Sequence, residues 1–95
     1  MGKYRDSDKK TKRFPCFYGN WCGPGCSGPE PPIDDVDACC KRHDLCYKKR
    51  GYFACSCDKK LLKCLKNKRN PDTEAGRKAM MMYLYYQHCF CDPNR

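Results

Sequence analysis

Polar and apolar positions divide this chain into two irregular segments followed by three helical ones. Residues 1–15 are polar and basic, with almost nothing to bury, and they predict a flexible basic arm. Residues 16–32 are rich in glycine and proline, which excludes a helix and favours an ordered loop tied by disulfide bonds. We therefore expect a single folded domain over residues 16–95.

The rest of the chain predicts three helices. Acidic residues at positions 34, 35 and 37 suit the first turn of a helix that runs to about residue 50 and ends at Gly51. A second helix is expected over about 53–68, closed by an Asn-Pro pair, and a third over about 72–88. Strand signals are weak throughout, so the predicted fold class is mostly α, small and disulfide-rich.

Composition explains why such a fold needs disulfide bonds. Leu, Ile, Val and Phe together make up only 11 of the 95 residues, and the net charge is +9, which is typical of disordered chains. Eleven cysteines reverse that expectation, because cross-links can replace a hydrophobic core that is too small to hold the fold. A large multidomain enzyme is excluded by length, and no apolar run approaches the roughly 20 residues of a membrane-spanning helix.

The cysteines also indicate an oxidising compartment, so we expect a secreted protein. The first sixteen residues contain no apolar stretch of the kind found in signal peptides. Export would therefore use a leader that this sequence does not contain, or another route. An odd number of cysteines leaves at least one thiol unpaired or bonded to another chain.

Cysteine spacing predicts how the first two helices pack. Cys39 and Cys46 are seven residues apart, as are Cys57 and Cys64, so each pair lies along one helix face. In an antiparallel pair of helices, the numbers of facing positions have a constant sum, and 39 with 64 gives the same sum as 46 with 57. Two antiparallel helices linked by two disulfide bonds are therefore predicted.

That packing brings a histidine and a carboxylate together. His43 lies between Cys39 and Cys46, facing the second helix, and Asp58 follows Cys57. A histidine oriented by a carboxylate suits a general base that activates water, because no Ser or free Cys nucleophile is placed beside it. The alternative is a structural histidine packed against the disulfide bonds.

Asp44 points about 100° further around the same helix than His43. A tether between Cys40 and Cys22 could bring the glycine-rich loop to this carboxylate. Carboxylate and backbone carbonyl oxygens together suit a calcium ion, whereas the alternative for the loop is a plain turn stabilised by disulfide bonds. Zinc is a poor match, because the paired cysteines lack the usual zinc-ligand spacing.

Basic residues form four clusters, at positions 9–13, 41–42, 48–50 and 59–69. Many of them could be solvated helix faces, but a domain of this charge attracts polyanions such as anionic bilayers or nucleic acid. The clusters lack the interleaved aromatic residues of single-stranded nucleic-acid binders. Trp21 and the aromatic residues near it could instead seat in a membrane interface, so we expect no nucleic-acid partner.

Three stretches together resemble the secreted phospholipase A2 family: YGNWCGPG at 18–25, DACCKRHDLCY at 37–47 and CSCDKKLLKC at 55–64. The likeness is close over about residues 16–65 and loose over 76–91, and it is greatest to the short, bee-venom-type branch. A CCxxHDxC string with a glycine loop before it and CxCD after it is a specific combination. The resemblance implies calcium-dependent hydrolysis of the sn-2 acyl ester of glycerophospholipids, which releases a fatty acid and a lysophospholipid.

The resemblance also implies catalytic roles for matching residues. His43 matches the general base that activates the attacking water, and Asp58 matches the carboxylate that orients it. In the family a tyrosine bonds that carboxylate; Tyr83 in the third helix is the preferred match here, and Tyr47, one turn after His43, is the other candidate.

A calcium site is implied in the same way. Asp44 matches the side-chain ligand, and Trp21, Gly23 and Gly25 match the loop positions whose backbone carbonyls bind the ion. The amide of Gly23 would face the oxyanion that develops on the sn-2 ester.

Family disulfides add the pairs Cys22–Cys40 and Cys55–Cys89 to the two predicted from spacing. Cys16, Cys26 and Cys91 have no family partner. We expect a Cys16–Cys91 bond, with Cys26 unpaired or bonded to another chain.

Several features depart from the family. A polar arm replaces the amphipathic N-terminal helix that lines the lipid channel in larger relatives, a turn at Gly51 replaces the β-wing, and Pro24 and Cys26 alter the loop. These changes affect the acyl channel more than the chemistry. We expect a monomer that acts peripherally on an anionic phospholipid bilayer. The alternative is a catalytically silent module acting on membranes or a receptor, although the residues that such modules usually lose are present.

Overall fold

A computed structural model describes residues 16–23, 25–26 and 28–95. The arm predicted over residues 1–15 lies outside this part of the chain. Three helices are present, which we label α1 (Asp35–Arg50), α2 (Cys55–Leu65, followed by a 3-10 turn over Lys66–Lys68) and α3 (Glu74–His88). Among the described residues there is no strand, and every helix is too short or too polar to serve as a membrane span. The predicted mostly α, disulfide-rich fold is confirmed.

Local sequence sets where each helix begins and ends. The side chain of Asp34 accepts a hydrogen bond from the amide of Asp37 and so caps α1, which ends at Gly51 with a φ of 111°. Thr73 caps α3 in the same way. The second helix starts later than predicted because Phe53 has a φ of 68°, a left-handed conformation that a helix cannot include.

Disulfide bonds provide much of the packing between the elements. Three predicted bonds are present: Cys22–Cys40, Cys39–Cys64 and Cys46–Cys57. The last two hold α1 and α2 antiparallel, and α3 packs against both helices. The main buried cluster consists of Trp21, Cys22, Val36, Cys39, Cys40, Leu61, Leu65, Ala79 and Met82. Half-cystines therefore form part of the small core as well as stapling it.

The segment after α3 decides the partner of Cys55. Cys55 bonds Cys91 and not Cys89, so the predicted pair is wrong. The amide of Cys55 donates to the carbonyl of Asp92, and the amide of Asp92 donates to the carbonyl of Phe53. These hydrogen bonds hold the end of the chain beside the start of α2, which places Cys91 opposite Cys55.

The loop before α1 closes on itself. Two backbone amides donate to the carbonyl of Cys22, which turns the chain back and brings Cys16 to Cys26. The predicted Cys16–Cys91 bond is therefore wrong, and Cys26 is not the unpaired thiol. All eleven cysteines lie in the described part of the chain, and the one without a disulfide partner is Cys89.

Candidate functional site

Facing side chains of α1 and α2 meet where the Cys39–Cys64 and Cys46–Cys57 disulfide bonds join the two helices, a contact that we call the seam. Nε2 of His43 lies 2.7 Å from Oδ1 of Asp58, and both residues are buried. The hydroxyl of Tyr47 donates to the same carboxylate oxygen at 2.5 Å. The other oxygen of Asp58, Oδ2, is buried without a hydrogen-bond partner among the described residues. The contact predicted between His43 and Asp58 is present; the catalytic roles of both residues stay predictions.

The hydrogen bond to Asp58 also decides how the ring of His43 is protonated. A carboxylate only accepts hydrogen bonds, so we assign the ring hydrogen to Nε2 and the free lone pair to Nδ1. Burial lowers the pKa of His43, and the hydrogen bond to Asp58 opposes this in part. A neutral ring with a free Nδ1 is the form that a general base requires.

The tyrosine that supports Asp58 is Tyr47 rather than Tyr83. Tyr47 lies one turn after His43, with the two ring centroids 4.1 Å apart, so its hydroxyl reaches the seam. Burial and the bond to Asp58 raise the pKa of Tyr47, which keeps it a hydrogen-bond donor. Tyr83 lies elsewhere, with the guanidinium carbon of Arg69 4.3 Å from its ring centroid. The preferred prediction is therefore wrong, and the second candidate takes its place.

α3 contributes a second aromatic neighbour to His43 that was not predicted. The ring of Tyr86 stands edge-on to the imidazole, with centroids 5.0 Å apart. Met82 and Tyr86 are four residues apart on one face of α3, and Met82 belongs to the core, so Tyr86 lies on the face that packs inward. The sequence alone does not show which face of α3 is buried. The site is thus enclosed by all three helices.

Asp44 lines the same cavity as His43. Its Oδ2 atom is buried and has no hydrogen-bond partner among the described residues. Burial raises the pKa of this carboxyl to about 6, and Lys48 offsets part of the effect. Buried polar atoms are nearly always paired in folded proteins, so this oxygen has unused capacity to bind a cation.

A residue predicted only as a first-turn acid positions the glycine-rich loop. Asp37 is fully buried. Its carboxylate accepts three backbone hydrogen bonds, from the amides of Asn20 (2.8 Å), Trp21 (2.9 Å) and Ile33 (3.0 Å). Gly19 makes room for it, because a Cβ there would lie 2.4 Å from the carboxyl carbon of Asp37.

The sequence contains an indication that Asp37 holds the loop. Asp37 lies three residues before Cys40, on the same side of α1. Because Cys40 is bonded to Cys22 of the loop, a carboxylate at position 37 has to meet the loop as well. One helix face therefore holds the loop by a disulfide bond and by a carboxylate.

The loop residues predicted as calcium ligands are only partly brought together. Trp21 and Gly23 line the cavity beside Asp44, whereas Gly25 is not among its lining residues. No group of three or more His, Cys, Asp or Glu side chains suited to a metal occurs in the described part of the chain. A cation here would therefore need backbone carbonyls as well as Asp44, and that oxygen donor set fits calcium.

Gly23 has the backbone conformation that only glycine tolerates well. Its φ is 117°, and a Cβ would lie 2.6 Å from the backbone nitrogen of Phe17. Its carbonyl accepts a hydrogen bond from the amide of Cys26 at 3.2 Å and keeps a second lone pair for another partner. The turn therefore requires glycine at this position, while the role of Gly23 in calcium binding stays a prediction.

The cavity that contains these groups has a volume of about 770 Å³, within the usual range for small-molecule sites. Apart from the polar groups already described, its lining is mostly apolar and aromatic. Four lining side chains are more than half exposed at its mouth: Tyr52, Phe53, Met81 and Tyr85. The site is therefore a mostly apolar cavity lined by His43 and Asp44, and His43 is hydrogen-bonded to Asp58.

The sequence is similar to phospholipase A2 proteins of plants and snake venoms. It is 42% identical to phospholipase A2 homolog 3 of Oryza sativa subsp. japonica over 81 residues, 80% of this chain and 49% of the relative. It is 50% identical to phospholipase A2-beta of Arabidopsis thaliana over 50 residues, 50% and 34% of the two chains. It is 62% identical to the acidic phospholipase A2 homolog taipoxin gamma chain of Oxyuranus scutellatus scutellatus over 34 residues, 36% and 21%.

Each match covers only part of the relative. The chain spans about half the length, or less, of the relatives named above. No family model and no solved structure matches it. The resemblance to the secreted phospholipase A2 family is confirmed, while placement in the bee-venom-type branch stays a prediction because these relatives come from plants and snake venoms.

Proposed function

From the relationship of this chain to the secreted phospholipases A2, we propose that it hydrolyses the sn-2 acyl ester of glycerophospholipids in a calcium-dependent reaction. The products are a free fatty acid and a lysophospholipid. The observation that carries the proposal is that His43, hydrogen-bonded to Asp58, lines the same apolar cavity as Asp44, whose Oδ2 atom has no hydrogen-bond partner among the described residues.

The histidine–aspartate pair supplies acid–base chemistry to a water nucleophile. Nδ1 of His43 takes a proton from water as the water oxygen bonds to the ester carbonyl carbon. The same proton then passes to the alcohol oxygen as the carbonyl–alkoxy bond breaks. Asp58 holds the ring in place and stabilises the imidazolium between these steps, and Tyr47 fixes Asp58.

Asp44 would hold calcium together with the backbone carbonyls of Trp21, Gly23 and Gly25. When bound, the ion offsets the negative charge that develops on the ester carbonyl oxygen. The amide of Gly23 would donate to the same oxygen. Asp37 contributes indirectly, because its three hydrogen bonds hold the loop that carries these groups.

We also propose that the protein acts at the surface of a phospholipid bilayer. The exposed apolar residues at the cavity mouth would contact the lipid, and an acyl chain would enter between α1 and α3. The net charge of +9 favours anionic bilayers. Five disulfide bonds support an extracellular location. The proposal is for a monomer without a nucleic-acid partner.

Fatty-acid release from anionic vesicles tests the chemistry. We expect release with calcium and none with EDTA. His43→Gln should lower the rate by about a hundredfold or more, the usual contribution of a general base. His88→Gln is the matched control, because His88 is the other histidine of the chain and is exposed at the end of α3. Activity that survives both EDTA and His43→Gln would overturn the mechanism.

A calcium titration separates this proposal from the catalytically silent alternative. Trp21 is the single tryptophan and lies in the loop, so its fluorescence should change with calcium and saturate. Saturable calcium binding without fatty-acid release would favour the silent module.

A further inference from the structure

A second cavity, of about 400 Å³, lies between α1 and α2. His43 and Leu61 line both cavities and so form the wall between them. On α1, positions 39, 42 and 46 face this second cavity, whereas positions 40, 44 and 47 face the first. These two sets lie on opposite sides of His43 around the helix. The second cavity therefore lies on the opposite side of the α1–α2 contact from the cavity lined by Asp44.

Positive charge distinguishes this second cavity, which we call the basic groove. Its cationic and amide side chains are Arg42, Lys60, Lys63, Asn67 and Lys68, and its floor is formed by the Cys39–Cys64 and Cys46–Cys57 disulfide bonds. None of its described lining residues is acidic. None of its four cations forms an ion pair with a described residue. The groove thus gathers positive charge, and no carboxylate of the described residues offsets it.

Two of the cations converge on one residue of the floor. A guanidinium nitrogen of Arg42 lies 3.4 Å from Sγ of Cys64, and Nζ of Lys68 donates to the carbonyl of Cys64 at 3.1 Å. Lys60 and Lys63 reach the groove from α2. Cations brought close together on a disulfide-rigidified surface repel one another, and a multivalent oxyanion relieves that repulsion while accepting several hydrogen bonds.

We propose that the basic groove binds a soluble phosphate-containing anion with two or more negative charges. This binding does not require the cavity lined by Asp44. Arginine and lysine side chains are the groups that recognise phosphate oxygens. The volume of the groove suits a compact ligand rather than an acyl chain, and none of the exposed large apolar residues lines it, whereas four of them line the other cavity. Phosphate and lipid can therefore bind on opposite faces of the seam. The inference does not depend on the proposed enzymatic activity.

Inorganic pyrophosphate is the probe, titrated in low-salt, calcium-free buffer without lipid and followed by amide chemical shifts in NMR. We expect shifts at residues 60–68. The double variant Lys60→Gln/Lys63→Gln should weaken binding about tenfold, since it removes two of the four cations. The matched control is Lys49→Gln/Lys59→Gln, which removes the same charge from exposed positions of the same helices outside the groove. Its affinity should change less than about twofold.

Circular dichroism establishes that both double variants are folded before the titrations are compared. If pyrophosphate affinity falls equally in the two variants, binding depends only on net charge and the proposal is wrong. The proposal is also wrong if the wild-type protein does not bind pyrophosphate. A parallel titration uses anionic vesicles. If the groove variant loses vesicle binding while wild-type protein ignores free pyrophosphate, the groove contacts lipid headgroups and the inference of a soluble ligand is wrong.

Discussion

Two aspartates of α1 differ in how their carboxylates are used: Asp37 is buried against the loop before the helix, whereas Asp44 is half-buried and lines the cavity. Both carboxylate oxygens of Asp37 accept hydrogen bonds from backbone amides of the segment before α1. Asp44, about two turns later, keeps one buried oxygen without a partner. Since buried polar groups are normally paired, the filled carboxylate is a structural anchor, whereas the unfilled one is suited to a ligand.

Asp58 of α2 lies between these extremes. One of its oxygens holds both His43 and Tyr47, and the other has no partner among the described residues. Asp37 and Asp58 are both buried, yet only Asp37 has both oxygens paired, so burial alone does not separate a structural carboxylate from a functional one. The number of carboxylate oxygens that have hydrogen-bond partners separates the two roles. Substitutions at or beside each aspartate test this interpretation.

The largest effect is expected from removing the anchor. Asp37→Ala leaves three amides without an acceptor, and each buried unsatisfied donor costs about 1–3 kcal/mol. The free energy of unfolding should therefore fall by about 3 kcal/mol or more, as measured by urea unfolding followed by circular dichroism. Asp35→Ala is the control, because Asp35 is an exposed acid in the same helical turn. Equal losses in the two variants would refute the anchoring role.

An intermediate effect is expected at the partly filled carboxylate. Tyr47→Phe removes one hydrogen bond to Asp58 and keeps the ring, so we expect a loss of stability of about 1–2 kcal/mol. In the proposed reaction it should lower kcat by about tenfold with little change in KM, because Tyr47 acts through Asp58. Tyr83→Phe should change neither quantity. If Tyr83→Phe lowers kcat or stability more than Tyr47→Phe does, Tyr83 rather than Tyr47 supports Asp58.

The smallest effect on stability, and one of opposite sign, is expected at the unfilled carboxylate. Burial disfavours the charged form of Asp44 and raises its pKa, so Asp44→Asn should leave stability in calcium-free buffer unchanged or increase it by up to about 1 kcal/mol. The fluorescence response of Trp21 to calcium should disappear. Asp37→Asn is the comparison and should destabilise the fold. If both variants lose the same stability, Asp44 is a structural residue like Asp37.

Much of the seam could be predicted because helices have a fixed period. Spacing alone placed Cys39 opposite Cys64 and Cys46 opposite Cys57, and it brought His43 to Asp58. The end of α1 at Gly51 was also predicted, because it depends on neighbouring residues, whereas the start of α2 was placed too early. Tyr83 was preferred to Tyr47 because the order of residues does not show which side of α3 faces α1.

The irregular segments could not be predicted in the same way. The partner of Cys16 depends on how the loop turns back, and the partner of Cys55 depends on hydrogen bonds from the chain after α3. These contacts join residues far apart in sequence through backbone groups that every residue carries. Side-chain identity therefore contains little information about them.

The sequence by itself determined the three helices, the antiparallel seam and the pairing of His43 with Asp58, because each follows from local capping or helical periodicity. Only the tertiary structure decided which backbone amides bind Asp37, that Tyr47 supports Asp58 and that Cys89 is the unpaired thiol. Those outcomes depend on which groups meet after the irregular segments have folded against the helices. A carboxylate shows whether it is an anchor or a ligand only when its neighbours are in place.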